Sequence, residues 1–155
     1  MDINRIKISK LELHDFNKCQ NIWDMNSNPK LKKEFYDQLK NGSRITFVCE
    51  NENNEFLAEG SLVFDVPDGY STITNKRINL SHLEVKPEYR SQGIGSKLCE
   101  YIFDYCRKNG YTEITLSVLL ANYNALRLYH KLEFDRIIAV QEDDDGKHLV
   151  ILKKL

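Results

Sequence analysis

Residues 78–109 constrain this chain more than any other stretch. The apolar-rich run Ile78-Asn79-Leu80-Ser81-His82-Leu83-Glu84-Val85 is broken by Lys86-Pro87. Arg90-Ser91-Gln92-Gly93-Ile94-Gly95-Ser96-Lys97 follows, and from Gly93 to Asn109 the pattern is helical. The order is strand, Gly-x-Gly turn, long helix. Two glycines one residue apart allow a tight turn and a close backbone approach. The amides of the first helical turn have no intrahelical partner, and with the helix dipole they form an anion site suited to a phosphate. The glycines alone also fit a helix start that merely needs a turn. Ile94, Leu98, Tyr101, Ile102 and Tyr105 fall on one face of this helix, and Gly110 is a natural stop.

The rest of the chain reads as alternating elements. Residues 3–9 alternate apolar and polar, predicting a first strand. Asp15 can cap a helix carrying Phe16, Cys19, Ile22 and Trp23. Asn28-Pro29 starts a second helix with Leu31, Phe35 and Leu39 every four residues, ended by Asn41-Gly42. Residues 44–49 and 56–64 form a hairpin about the 51–54 turn. Residues 66–76 are a long polar connection, of a length often functional or mobile. After the central helix come a strand at 113–118, a helix at 122–132 and a hairpin of 134–141 with 147–152. The order β-α-α-β-β-β-α-β-α-β-β implies an α/β layer protein with a mixed sheet.

Composition narrows the function classes. The 155 residues fit one domain, 1–155. Lys and Arg total 22 against 23 Asp and Glu, which lacks the basic excess of a general nucleic-acid binder. No apolar run approaches the ~20 residues of a membrane span, and the N-terminus lacks a signal-peptide pattern. Cys19, Cys49, Cys99 and Cys106 show no CxxC spacing and read as core thiols of a reduced, cytoplasmic protein. His14, His130 and His148 have no metal spacing, and no metal is expected.

Three nucleotide motifs compete for the Gly-x-Gly turn. A Rossmann fingerprint needs a glycine where Leu98 stands, and a P-loop needs four residues between its glycines rather than one. The third fits. Arg90-x-x-Gly93-x-Gly95 resembles the acetyl-CoA signature of the GCN5-related N-acetyltransferases, the GNAT family. The flanking Leu83-Glu84-Val85-Lys86-Pro87-Glu88-Tyr89 looks like that family's strand-to-loop segment. Asn122-x-x-Ala125-x-x-Leu128-Tyr129-x-Lys131-x-x-Phe134 resembles its second block, and the closing hairpin is typical.

The resemblance implies a GNAT-like fold: a mixed, largely antiparallel sheet flanked by helices, with the fourth and fifth strands splayed. It implies acetyl-CoA as co-substrate. The pantetheine arm would pair with backbone near Leu83, Glu84 and Val85. The pyrophosphate would rest on amides of Gln92, Gly93, Ile94, Gly95 and Ser96, with charge from Arg90 and with Ser91 also among the cofactor-binding residues. Asn122 matches the position that hydrogen-bonds the arm, and Tyr129 the general acid that protonates the leaving thiolate. The acceptor would be a primary amine of a small molecule or a peptide. The other reading is a non-catalytic acyl-CoA-binding or regulatory module on the same fold. Many family members are dimers, and nothing in the sequence decides between a monomer and a homodimer.

The chemistry asks for a neutral amine, a polarised carbonyl and a protonated thiolate. A phenol can supply that proton, and a backbone N–H near Val85 can hold the oxyanion. Two departures from the family pattern stand out. Glu133 replaces a glycine that follows the helix, and a glutamate at positive φ costs ~1 kcal/mol unless the turn differs. The family's base positions hold Asn79, Ser81 and Ser117. Strict alternation puts His82 and Glu84 on the opposite face. The expected deprotonation route is therefore ordered water, or a group such as Glu34 or Tyr36. The acidic run Glu142-Asp143-Asp144-Asp145 and the Lys30, Lys32, Lys33 run read as solvated faces.

Overall fold

The computed structural model describes residues 2–155. Seven strands form one mixed, mostly antiparallel sheet: β1 (Lys7–Lys10), β2 (Arg44–Glu50), β3 (Phe56–Val63), β4 (Arg77–Val85), β5 (Glu113–Leu119), β6 (Arg136–Asp143) and β7 (Gly146–Lys154), in the order β1-β2-β3-β4-β5-β7-β6. Three α-helices accompany them: α1 (Pro29–Asn41), α2 (Ile94–Lys108) and α3 (Tyr123–Lys131). The expected α/β class is present, and so is the element order, except that a 3₁₀ run takes the place of the first helix. The chain packs as two compact units. One runs to Leu62 and includes His82–Ile102; the other comprises Val63–Ser81 and Phe103–Leu155.

The first unit is built on aromatic and aliphatic packing. Phe16, Cys19, Ile22, Met25, Phe35, Val48 and Phe56 form a buried cluster, with Trp23, Leu31 and Leu39 packed against it. Each large apolar side chain so buried contributes about 1.5–3 kcal/mol. The four-residue spacing of α1 points Leu31, Phe35 and Leu39 into this cluster, and Gly42 ends the helix at φ +83°.

Three sequence expectations are corrected here. Residues 3–9 are not one strand. The Asp2 carboxylate accepts the Asn4 N–H at 2.9 Å and winds Ile3–Arg5 into a 3₁₀ turn before β1 begins. The helix expected to start at Asp15 is a 3₁₀ run, Leu13–Asn21, with Glu12 at its cap position and Asp15 inside its first turn. On α2 the buried stripe is Ile94, Leu98, Cys99, Ile102, Phe103 and Cys106, while Tyr101 is exposed and packs edge-on against Phe47. Cys99, Phe103 and Cys106 fill the second row of that face, so it is wider than the tyrosine spacing suggested. All four cysteines are free and buried, as expected of core thiols.

The second unit carries the last two antiparallel pairings. β7 lies between β5 and β6, with Leu116 opposite Ile151 and Val140 opposite Leu149. β4 and β5 are parallel, and their ladder covers only Arg77–Glu113, Ile78–Ile114 and Asn79–Thr115. Both strands continue past that point, to Val85 and Leu119. The 66–76 connection is tied down. Asp68 Oδ1 accepts the N–H groups of Tyr70 and Ser71, Arg77 donates to the Tyr70 carbonyl at 2.7 Å, and Thr115 Oγ1 donates to the Ser71 carbonyl at 2.7 Å.

Candidate functional site

The start of α2 has the geometry its glycines require. Gly93 sits at φ +87° and Ser91 at φ +61°. A Cβ on Gly93 would stand 3.2 Å from the Ile3 Cδ1 methyl, so the turn is crowded as well as left-handed. The first helical hydrogen bond is Lys97 N–H to the Gly93 carbonyl. Among the described residues, the amides of Gln92, Gly93, Ile94, Gly95 and Ser96 have no protein partner. A 15-residue helix thus presents a row of free donors at its positive end. This donor set fits a diphosphate.

Arg90 is engaged elsewhere. Its Nε donates to the Val85 carbonyl at 2.9 Å, and its guanidinium lies 3.7 Å from Glu84. It clamps the end of β4 to the loop. Leu83, Glu84 and Val85 are half-buried, and the Lys86 N–H bonds the Leu57 carbonyl at 2.8 Å.

In the second unit, Asn122 is the N-cap of α3. Its Oδ1 accepts the Ala125 N–H at 3.2 Å. Tyr129, on the same helix, is 9% exposed, with its ring edge-on to Phe134 at 5.7 Å. The turn after α3 places Glu133 at φ +69°. The positive φ expected where the family keeps glycine is therefore present, and a glutamate occupies it. Of the residues at the family's base positions, Asn79 donates to Thr115 Oγ1 at 3.1 Å, and Ser117 is exposed. Glu34 and Tyr36 are exposed on α1.

One constellation escaped the sequence reading. Glu59, on β3, is 3% exposed, and its Oε2 lies 3.6 Å from His82 Nδ1. Both Glu59 Oε1 and His82 Nδ1 are buried without a hydrogen-bond partner among the described residues. The His82 ring is held edge-on by Trp23 (4.8 Å) and Phe35 (4.9 Å). His82 itself has φ +54°. That left-handed residue breaks the alternation of β4, so the opposite-face assignment of His82 and Glu84 does not carry past Ser81. Around Glu59, Cys19 has its thiol pushed up by burial and then by the Glu59 charge. Arg44 is brought down to about 10 by burial, against the opposing pull of Glu59 and Glu34, and its guanidinium stacks 3.8 Å over Phe35. A carboxylate inside the mostly apolar run of residues 56–63 was the available signal.

A sequence model of the acetyltransferase (GNAT) family matches residues 10–134, and the chain belongs to that family. N-acetyltransferase 8B of Homo sapiens is 33% identical over 90 residues, 58% of this chain and 38% of that protein. The thialysine N-epsilon-acetyltransferase of Sus scrofa is 43% identical over 63 residues, 41% of this chain and 37% of that protein. The chain spans less than two-fifths of either relative. In fold it matches the PaiA N-acetyltransferase of Thermoplasma acidophilum, solved in complex with coenzyme A. The TM-score is 0.69 at 21% identity, with 100% of both chains covered.

Proposed function

We propose that this protein transfers the acetyl group of acetyl-CoA to a primary amine of a small molecule or peptide, by direct attack and without a covalent enzyme intermediate. The observation that carries the reading is the row of unpartnered amides from Gln92 to Ser96 at the start of α2. Those amides take the pyrophosphate. Backbone of Leu83, Glu84 and Val85 pairs with the pantetheine arm, and Asn122 offers that arm its side-chain amide while its oxygen caps α3. Tyr129 donates the proton that the departing thiolate needs. The thialysine enzyme among the relatives makes a small aminoalkyl acceptor the first to try. Four buried free thiols suit a reducing, cytoplasmic setting.

The test is thiol release from acetyl-CoA across a panel of amines that includes thialysine, polyamines and peptide N-termini. The wild-type protein turns over at least one of them. Tyr129→Phe lowers kcat about 100-fold or more while acetyl-CoA affinity stays within twofold. Acetyl-CoA binding with no turnover of any amine would instead make the chain an acyl-CoA-binding module.

A further inference from the structure

We propose that His82, oriented by Glu59, is the base that takes the acceptor's ammonium proton; this rests on the transferase reading above. Both residues lie in the first compact unit. Burial of a carboxylate at 3% exposure is costly unless a cation or donor faces it. Two groups face the Glu59 carboxylate, His82 Nδ1 at 3.6 Å from Oε2 and the Cys19 thiol, a weak donor; His82 Nδ1 and Glu59 Oε1 have no hydrogen-bond partner among the described residues. From that 3.6 Å separation, a small shift brings Nδ1 and Oε2 within hydrogen-bond distance. A proton on Nδ1 directed at the carboxylate leaves the Nε2 lone pair free. No protein hydrogen bond engages Nε2 among the described residues, and the side chain keeps 16% of its surface exposed.

The cage fixes the ring rather than neutralising it. Trp23 and Phe35 meet the imidazole edge-on and bring no charge to it. The other titratable groups of this neighbourhood are Cys19 from the 3₁₀ run, whose thiol burial and Glu59 push up, and Arg44 from β2, which is turned onto Phe35 and Gln38. Glu34 acts on Arg44 from α1. Glu59 therefore stabilises the imidazolium that forms when Nε2 accepts a proton. The positive φ of His82 lies at the point where β4 leaves regular strand geometry, which re-aims the ring.

The step balances. An ammonium plus an acetyl thioester gives an amide, a thiol and one proton. His82 Nε2 accepts that proton from the ammonium and passes it to water. The freed nitrogen lone pair forms the N–C bond as the C–S bond breaks; the sulfur leaves with its electron pair and takes a proton from Tyr129, which the second proton lost by the attacking nitrogen replaces. His82 is the catalytic residue, and Glu59 is a positioning residue that acts through it.

Profiles of kcat/KM against pH, run with the panel's two most active amines, test this. A limb belonging to the enzyme stays in place when the basicity of the amine changes. In His82→Gln that limb is lost and kcat/KM at the plateau falls about 100-fold or more, with acetyl-CoA affinity unchanged. Glu59→Gln moves the limb to lower pH, because the imidazolium loses its carboxylate, and Glu59→Asp restores part of the rate. In the wild-type protein, the ring signals of His82 followed by NMR titrate with the midpoint of the limb, a readout that needs no turnover and no variant. Retention of the limb in His82→Gln, or a ring silent between about pH 5.5 and 9, overturns the base role and leaves the transferase reading standing. Absence of thiol release with every amine overturns the transferase reading and this role together.

Discussion

Glu133 occupies a backbone conformation that favours glycine, φ +69°, one residue beyond the cap of α3. Its side chain is exposed and offers only a 3.5 Å ion pair to Lys153 in return. Lys153 is 7% exposed, but its ammonium also lies 5.2 Å over the Phe103 ring and the Glu133 end of the pair is solvated, which limits what the pair is worth, whereas the left-handed region costs an L-residue about 1 kcal/mol. Glu133→Gly is therefore expected to stabilise the protein by about 0.5–1 kcal/mol, measured as a rise in the urea midpoint at unchanged slope. This strain was legible in the sequence because the family block marks the position at which glycine is missing. The equivalent strain at His82 was not. Nothing local to Ser81-His82-Leu83 distinguishes it from a regular strand, and period-two alternation, the rule that reads strands, fails at a single positive φ. Glu59 was hidden for another reason: the histidine it faces lies 23 positions away in the chain.

At the scale of elements, the 66–76 connection shows how length misleads. A polar loop of that size is expected to be functional or mobile; Asp68 and Thr72 brace it internally, and Arg77 and Thr115 tie it to β4 and β5, so length did not bring mobility. Burial raises the Asp68 carboxyl, but hydrogen bonds from the Ser71 hydroxyl, the Ser71 N–H and the Tyr70 N–H outweigh it and hold the group below the usual carboxylate range. A carboxyl held low in the folded state adds stability that is present above its unfolded value near ~3.9 and is lost as the pH falls through the folded value. Asp68→Asn is thus expected to be less stable than wild type at pH 7. The difference should close as the pH drops below about 4, which urea unfolding at neutral and acid pH checks. The helices were more legible. Asn28-Pro29 and Asn41-Gly42 bound α1 as expected, because Pro29 presets the first turn and Gly42 takes the left-handed end, while the Asn28 side chain makes no capping hydrogen bond. The 3₁₀ run Leu13–Asn21 was read as a regular helix because both present Phe16 and Cys19 inward and differ only in hydrogen-bond register.

For the molecule as a whole, a ligand that binds only the folded chain adds stability by mass action. Acetyl-CoA at 100 times its Kd contributes about 2.7 kcal/mol, a rise in Tm of about 5–10 °C for a domain of this length. Gly93→Ala is expected to cut that rise by at least half, because the added methyl meets Ile3 in a left-handed turn. A full rise in that variant would mean that the amides after Gly93 do not hold the ligand. The sequence by itself determined the element order, the Gly-x-Gly helix start and the family, because each is written in contiguous residues and short-range backbone preferences. Only the tertiary structure decided that Arg90 clamps Val85, that the 66–76 loop is anchored, and that Glu59 faces His82 inside an aromatic cage. Those are meetings of residues far apart in the chain, set by strand pairing and core packing, and no local pattern encodes which buried charge finds which partner.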